Sequence, residues 1–508
     1  MLLKTSTIDT KAVKMSVLDD AARVEALAVL STFRTEFYRC LTARADALFE
    51  VTDALLCTDG PVRSLVDLVL APEHRRGHGG MYDGLNCGRV DVARLRRSMA
   101  GLPVPRAADG RIVLAVDVSP WLRSDAQTSP DRLFCHVYGR AKGQAQMIPG
   151  WPYSFVAALE SGRTSWTAVL DAIRLGPADD AAAVTADQLR TVVQRLIAAG
   201  HHAPGDPRIL IVCDAGYDIP RLAFLLADLP VDLLGRLRSD RVMALPPPPR
   251  LPGTTGRPPK HGPELALAEP DTWPAPQTVT TTQTTRYGTA TATAWDRVHP
   301  RLTRRTCWLE HAGDLPVIEG TLIRLQVDHL PGDRHPKPVW LWTSITAATA
   351  ADVDRSWQSY LRRFDLEHTF RLLKQTLGWT RPKIRTPDAA DRWTWLVIAC
   401  HTQLRLARGL AEDLRRPWER PADPDRLTPA RVRRGFRHIH PKTTHPASAP
   451  KPGKAGPGRP PGSKNRQPTP SYDVGKTVKR ALSITERREQ TGSGGPGRRS
   501  PGLPRNGA

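Results

Sequence analysis

The chain has 508 residues, too many for one ordinary hydrophobic core, so its length predicts two to four domains. Its net charge of +22 predicts a polyanionic partner, nucleic acid before an anionic membrane. The seven cysteines are scattered, which argues against a disulfide framework and a cysteine zinc site and fits a reducing cytosol. We also expect no secretory signal and no membrane span, because no apolar run approaches the roughly 20 residues a span needs.

The first hundred residues are predicted to be mainly helical. Residues 1–20 are expected to form a disordered N-terminus. Residues 21–105 have apolar side chains at three- and four-residue spacing, which predicts a helical domain that ends at Pro103 and Pro105.

Strands and helices then alternate over residues 106–238. Buried-strand runs lie at Arg111–Val118, Arg208–Cys213 and Val231–Leu237, and an amphipathic helix is predicted at Ala183–Ala199. This order is typical of an α/β layer structure with a partly parallel sheet.

The second half of the chain is more varied. Residues 239–338 begin with a proline-rich loop and continue with short, Thr-rich β-like runs, so they are predicted to be a β-rich insertion. Residues 339–412 return to a strand and two helices. Proline and arginine dominate residues 413–508, which we expect to be a basic, largely disordered tail.

Two aspartates follow buried apolar runs. Asp117 ends LAVD and Asp214 ends LIVCD. In open α/β sheets, polar residues at the carboxyl ends of strands face the ligand crevice, and two such carboxylates can share a divalent cation. The alternative is that each aspartate only caps a turn or a helix. Asp218 is a second candidate, but it fits better as the N-cap of a helix that starts at Ile219.

A third acid lies on the predicted helix SYLRRFDLEHTFRLLKQTLGW. Tyr360, Arg363, Glu367 and Lys374 stand at offsets that place all four on one helix face within roughly a 60° arc. The alternative is a solvated, salt-bridged surface helix in which Glu367 pairs with Arg371.

The spacing Y-x2-R-x3-E-x6-K resembles the signature of the YREK group of DDE transposases of bacterial insertion sequences. Tyr360, Arg363, Glu367 and Lys374 match this signature residue for residue. The resemblance implies an RNase H-like mixed sheet with flanking helices, a β-rich insertion before the last catalytic helix, and an N-terminal helical DNA-binding domain. It also implies that the catalytic carboxylates are Asp117, Asp214 and Glu367.

The same resemblance implies two Mg²⁺ ions, for which Mn²⁺ may substitute, held by Asp117, Asp214 and Glu367. Hard oxygen ligands suit both metals. Tyr360, Arg363 and Lys374 would contact DNA phosphates. The implied partners are the terminal inverted repeats of an element and target DNA, bound by a homodimer or larger assembly in a cytoplasmic, nucleoid-associated complex.

Other residues are weaker candidates for DNA contact. Phe364, Trp340 or Trp342 would stack on a flipped base if the family resemblance extends that far, although core packing is the preferred interpretation of these aromatics. Arg459 lies in GPGRPPGSKNR, which resembles a minor-groove AT-hook. A generic basic tail is the alternative.

Three functions remain open from the sequence. The first is a transposase that cleaves DNA and transfers strands. The second is a non-catalytic DNA-binding protein derived from a transposase. The third is an RNase H-like nuclease without strand transfer.

Overall fold

The computed structural model describes residues 10–138, 145–162, 164–250, 252, 255–304, 308, 311–330, 336–423, 426–451, 462 and 469–476. The α-helices of this part of the chain are α1 (Thr10–Cys40), α2 (Ala45–Cys57), α3 (Leu65–Val69), α4 (His78–Cys87), α5 (Val92–Ala100), α6 (Ala181–Ala198), α7 (Ile219–Leu225), α8 (Ala350–Arg362), α9 (Phe364–Arg371), α10 (Pro387–Leu406) and α11 (Pro429–Ile439). The strands are β1 (Leu41–Ala43), β2 (Arg89–Val90), β3 (Val113–Leu122), β4 (Leu133–Tyr138), β5 (Ala145–Leu159), β6 (Thr167–Arg174), β7 (Ile209–Cys213), β8 (Val231–Leu237), β9 (Val242–Ala244), β10 (Glu264–Ala266), β11 (Thr278–Thr284), β12 (Gly288–Val298), β13 (Gly320–Val327) and β14 (Val339–Thr343).

One ten-stranded mixed sheet forms the centre of the structure. Its order is β11-β12-β13-β14-β8-β7-β3-β5-β4, and β6 pairs with the far half of the long strand β5. Strand β7 runs parallel to β3 and β8, and the other pairs are antiparallel. The mixed sheet with flanking helices confirms the predicted RNase H-like fold class.

The sheet is covered by helices on both faces. In β3, Leu114 and Val116 belong to a cluster with side chains of α6 and α7, whereas Val113 and Ala115 belong to a cluster with side chains of α9 and α10. Side chains of a strand alternate between faces, so both faces of β3 are buried and the strand reads as a continuous apolar run.

The position of Asp117 within its strand differs from the prediction. Strand β3 continues to Leu122 because residues 117–122 still pair with β5, so Asp117 lies inside the strand and not at its end. The parallel pairing with β7, however, stops at Val116. Asp117 is therefore the first residue of β3 beyond its parallel neighbour, which leaves one flank of the strand open.

The β-rich insertion extends the main sheet. Strands β11, β12 and β13 form an antiparallel meander that joins the sheet through β14, which itself pairs with β8. The short strands β9 and β10 pair with each other. The insertion thus shares backbone hydrogen bonds with the core that it interrupts.

The predicted tail begins too early in the sequence. Helix α11 lies inside it, and Val432 and Phe436 are completely buried in the cluster that also contains residues of α1, α2 and α10. Residues 440–448 also pack on the N-terminal helices. The composition is misleading because the arginines of α11 are paired: Arg431 with Asp413 and Arg434 with Glu419.

The N-terminal helices have no hydrophobic core of their own. Buried side chains of α1, α2, α4 and α5 belong to the same cluster as those of α10 and α11. In the part of the chain that the structure describes, no helix has the length and apolar character that a membrane span requires.

Replacing Phe436 with alanine is expected to lower the free energy of unfolding by about 3–5 kcal/mol, because the ring is fully buried and its loss leaves a cavity. Trp418→Ala, at a ring that is 75% exposed, is the control and should change it by less than about 0.5 kcal/mol. Chemical denaturation measures both. If Phe436→Ala were as stable as wild type, α11 would not be packed in the core, and residues 413–448 would belong to the disordered tail as first predicted.

Candidate active site

The two aspartates lie side by side because of the register of one strand pair. Val116 of β3 pairs in parallel with Cys213 of β7, and each is followed directly by an aspartate, Asp117 or Asp214. Val113, Ala115, Leu210 and Val212 all face the cluster beneath α8–α10. By alternation, Asp117 and Asp214 point to that same face.

The third acid reaches this point on the helical layer. Thr349 and Asp352 form a capping box that starts α8, and Val353 and Trp357 bury one side of the helix against the sheet. One turn after α8 ends, α9 carries Glu367. The helices therefore bring Glu367 over the edge of the parallel strand pair.

All three carboxylates contact the guanidinium of Arg363. Its Nη1 lies 2.8 Å from Oδ2 of Asp117, and its Nη2 lies 3.4 Å from Oδ2 of Asp214 and 3.5 Å from Oε1 of Glu367. The Arg363 side chain is 3% exposed, whereas that of Glu367 is 53% exposed. Glu367 thus pairs with Arg363, and the structure brings the three distant acids to one guanidinium.

The convergence is looser than a closed ligand cluster. The oxygen atoms of the three acids around Arg363 do not all lie within 4.8 Å of one another. Within the described ranges, that criterion is met by a different group, Asp53, His440 and His445. The guanidinium separates the three acids. The sequence predicted that Arg363 contacts DNA phosphates. It did not predict that Arg363 contacts the three acids, because the spacing of residues on a helix does not show what the helix faces.

The environment of Asp117 disfavours its charge. Burial raises the pKa of Asp117 to about 6, with Asp214 and Glu367 adding to the rise and Arg363 opposing it. Its Oδ1 accepts a hydrogen bond of 2.8 Å from the backbone N–H of Val118. A cation placed among the three acids would therefore be strongly attracted to Asp117.

Tyr360 also joins the site. Its hydroxyl donates to Oδ1 of Asp214 at 3.2 Å, and its pKa is raised to about 12, first by burial and then by Asp214.

Lys374 joins the site through an irregular turn. Residues Leu372–Thr376 form a π-helical turn, which ends where Gly378 adopts a φ of +69°. The reversal brings Trp379 beneath Lys374, whose Nζ lies 5.7 Å from the ring centre. Burial lowers the pKa of Lys374 to about 8, against the raising effect of Asp117. The wider turn departs from the regular helix assumed in the sequence analysis.

The remaining candidates have mixed outcomes. Asp218 caps α7 by accepting from the N–H of Arg221, as the sequence suggested. Trp340 and Trp342 are buried in the core and cannot stack on a base, so core packing is the correct interpretation for both. Phe364 is 47% exposed, and its ring packs 5.2 Å from the Arg363 guanidinium. Arg459 lies outside the described residues.

A cavity of about 1030 Å³ is lined in part by Tyr360 and Phe364, which contact Asp214 and Arg363 of the acidic site. The three carboxylates and Arg363 are not themselves part of its lining. The rest of its lining is rich in cations and aromatic rings: Trp166, Arg236, Arg286, Tyr287, Lys337, Arg362, Arg408 and Arg426. Exposed cations of this kind hold phosphates and exposed rings stack on bases. Trp166, however, is only 1% exposed, and Arg362 and Arg408 are paired with Asp365 and Glu160.

A family model described as DDE superfamily endonuclease matches residues 36–301, which is more than half of the chain. The chain belongs to this family. The match covers Asp117 and Asp214, and it ends before the helix that carries Glu367. No curated protein matches the chain. Membership makes the chain a DDE-type enzyme of the nuclease and transposase class with DNA as its substrate, and such endonucleases generally use divalent metals.

Replacing Arg363 of this DDE endonuclease with methionine is expected to lower the free energy of unfolding in EDTA by about 1–3 kcal/mol. The buried guanidinium is removed, and three partly exposed carboxylates are left close together without a cation. Added Mg²⁺ should then raise the unfolding temperature more than in wild type.

The control is Arg371→Met, at an exposed position at the end of α9, the helix that follows Arg363. It should change the stability by less than about 0.5 kcal/mol. Equal stability of Arg363→Met and wild type in EDTA would show that the guanidinium does not stabilise the acidic site.

Proposed function

We propose that this chain is a transposase that cleaves DNA at the ends of a mobile element and joins those ends to target DNA. Asp117, Asp214 and Glu367 would be its catalytic residues. The observation that carries the proposal is the meeting of these three acids, from two strands and a helix, at one guanidinium. Carboxylates of like charge are costly to bring together unless a cation is held among them.

The donor set fits Mg²⁺, with Mn²⁺ as a substitute. Asp117, Asp214 and Glu367 offer hard oxygen ligands at a place that already holds one cationic group. When bound, two such ions supply activation of the attacking hydroxyl and stabilisation of the leaving oxygen. The low solvent exposure of Asp117, 20% for its side chain, strengthens its attraction for a divalent cation.

The cationic and phenolic side chains of the segment from Tyr360 to Lys374 would position DNA. Arg363 keeps the acids together in this structure, and we propose that its guanidinium moves to a DNA phosphate in the complex. Tyr360 orients Asp214 through its hydrogen bond. Burial lowers the pKa of Lys374 and Asp117 opposes that effect, and we propose that this side chain offsets negative charge that develops on the phosphate.

The assignment to the YREK group rests on Tyr360, Arg363, Glu367 and Lys374. Tyr360 and Arg363 contact the acids directly, and Lys374 interacts with Asp117. These contacts support the proposal over an incidental sequence match on a solvated helix. We further propose that the wall formed by Phe364 and the neighbouring cations receives the DNA strand next to the cleaved bond.

The wider assembly follows from the same proposal. Two element ends must be held together for transposition, which calls for a homodimer or larger complex on nucleoid DNA. The helices α1–α5 and the basic residues around Arg459 are the proposed sites of additional DNA contact. The net charge of +22 supports binding to a polyanion.

Replacing Asp214 with asparagine is expected to reduce Mg²⁺-dependent DNA nicking by at least about 1000-fold, because the metal loses a charged ligand while the side chain keeps its shape. Asp218→Asn is a matched control, since it lies four residues away and asparagine is also a good N-cap. It should keep nearly full activity. Nicking of a supercoiled plasmid measures both.

The result of this comparison also tests the first alternative. If the chain were a non-catalytic DNA-binding protein, wild type and both variants would bind DNA, and none of them would nick it. If Asp214→Asn nicks DNA as fast as Asp218→Asn, Asp214 is not catalytic.

A joining assay separates a transposase from a plain nuclease. A labelled oligonucleotide from the element end, with a free 3′-hydroxyl, is mixed with a supercoiled plasmid, the full-length chain and Mn²⁺. We expect labelled plasmid, and we expect Glu367→Gln to abolish it. Hydrolysis of the plasmid without transfer of the label would favour the RNase H-like nuclease.

A further inference from the structure

A short segment after α11 lies across the N-terminal helices. We name residues 440–448 the C-terminal strap. Arg34 of α1 donates from Nε to the carbonyl of Thr444 at 3.0 Å. The N–H of Ser448 donates to Oδ1 of Asp46 at 3.1 Å, and Arg76 donates to the carbonyl of Ser448 at 2.6 Å. The strap is therefore fixed to α1 and α2 along its length.

Two histidines of the strap face one buried aspartate of α2. Nε2 of His440 lies 3.0 Å from Oδ2 of Asp53, and Nδ1 of His445 lies 4.0 Å from the same oxygen. The two imidazole rings meet edge to face with their centres 4.3 Å apart. One possible ligand atom from each of the three side chains lies within 4.8 Å of the other two.

The protonation pattern of His445 suits a metal ligand. Its Nε2 lies 2.9 Å from the carbonyl oxygen of His440, which can only accept, so Nε2 carries the hydrogen. Nδ1 then carries the lone pair, and it lies 3.5 Å from Nη2 of Arg34 and 4.0 Å from Oδ2 of Asp53. Metal-binding histidines commonly donate their second N–H to a backbone carbonyl in this way.

The other ligands are also prepared. The guanidinium of Arg34 holds both oxygens of Asp53, with Nη1 2.7 Å from Oδ1 and Nη2 3.0 Å from Oδ2, and Nη1 also donates to Oε1 of Gln403 at 2.7 Å. The carboxylate is therefore fixed in place, and a bound ion would take over Oδ2 from Nη2. Nε2 of His440 is buried and lies 3.0 Å from Oδ2 of Asp53, in a geometry outside that of a regular hydrogen bond. A buried polar nitrogen gains little from such a poorly aligned contact.

We propose that Asp53, His440 and His445 bind one divalent cation of the zinc class, which fastens the C-terminal strap to α2. Two imidazole nitrogens and one carboxylate oxygen suit Zn²⁺ or Co²⁺ and not Mg²⁺, which prefers oxygen ligands alone. Three protein ligands leave a position for water. The side chain of His445 is 40% exposed, which provides a path for the ion.

The test uses the full-length chain with its purification tag removed and metals stripped by a chelator. Excess Mg²⁺ is present throughout to occupy the acidic site around Arg363. Co²⁺ is titrated as a visible probe and then displaced by Zn²⁺. The variants are His440→Ala and His445→Ala. The control is His438→Ala, at an exposed position of α11 two residues before His440. Circular dichroism without metal confirms that each variant is folded.

We expect wild type and His438→Ala to bind Co²⁺ and release it to Zn²⁺. Outer partners of metal ligands are typically worth 10–100-fold in affinity, so the loss of a direct ligand in His440→Ala or His445→Ala should weaken Zn²⁺ binding by more than about 100-fold. The proposal is overturned if wild type binds no Co²⁺ in excess Mg²⁺, or if both variants bind it as wild type does.

Limited proteolysis tests the fastening of the strap. Trypsin cleaves after Lys442, which lies between the two histidines. We expect Zn²⁺ to slow this cleavage at least tenfold in wild type and His438→Ala, and to leave the rate in His445→Ala unchanged. Zn²⁺ that binds to wild type without slowing the cleavage contradicts a role in holding the strap.

Discussion

The parallel pairing of β3 and β7 is the constraint on which the site depends. Val116 lies opposite Cys213, and the residue that follows each of them is an aspartate. Asp117 and Asp214 are therefore side by side on the same face of the sheet. A slip of one residue in this register would send one carboxylate to the other face, where α6 and α7 pack. The apolar side chains of both strands prevent such a slip, since each face of the sheet has its own buried cluster.

Arg363 explains how three acids can be close in a folded chain. Its guanidinium contacts each of them within 3.5 Å and is itself covered by the rings of Tyr360 and Phe364. The acids raise the pKa of Arg363 although burial opposes the rise. The planar, always charged guanidinium suits this position because it can bond several oxygens at once. The helix that carries Glu367 thus also supplies the charge that makes its approach possible.

The segments around the site are less independent than their composition suggests. The insertion continues the central sheet through β14, and α11 shares a buried cluster with α1, α2 and α10. Both features connect parts of the chain that are far apart in sequence. The strap after α11 adds a second link, through Asp53 and Arg34. The N-terminal helices are therefore held by the C-terminal part of the folded chain.

The sequence by itself determined the alternation of strands and helices, because apolar periodicity reflects which face of an element is buried. It also contained the four-residue spacing around Glu367, and the family resemblance of that spacing implied the RNase H-like fold class. It also determined that Asp218 caps a helix, which is a contact over three residues. Only the tertiary structure decided that Asp117 lies inside a strand, that Trp340 and Trp342 are buried, and that Arg363 faces the acids. The physical reason is that these properties depend on neighbours supplied by distant parts of the chain, which no local pattern records.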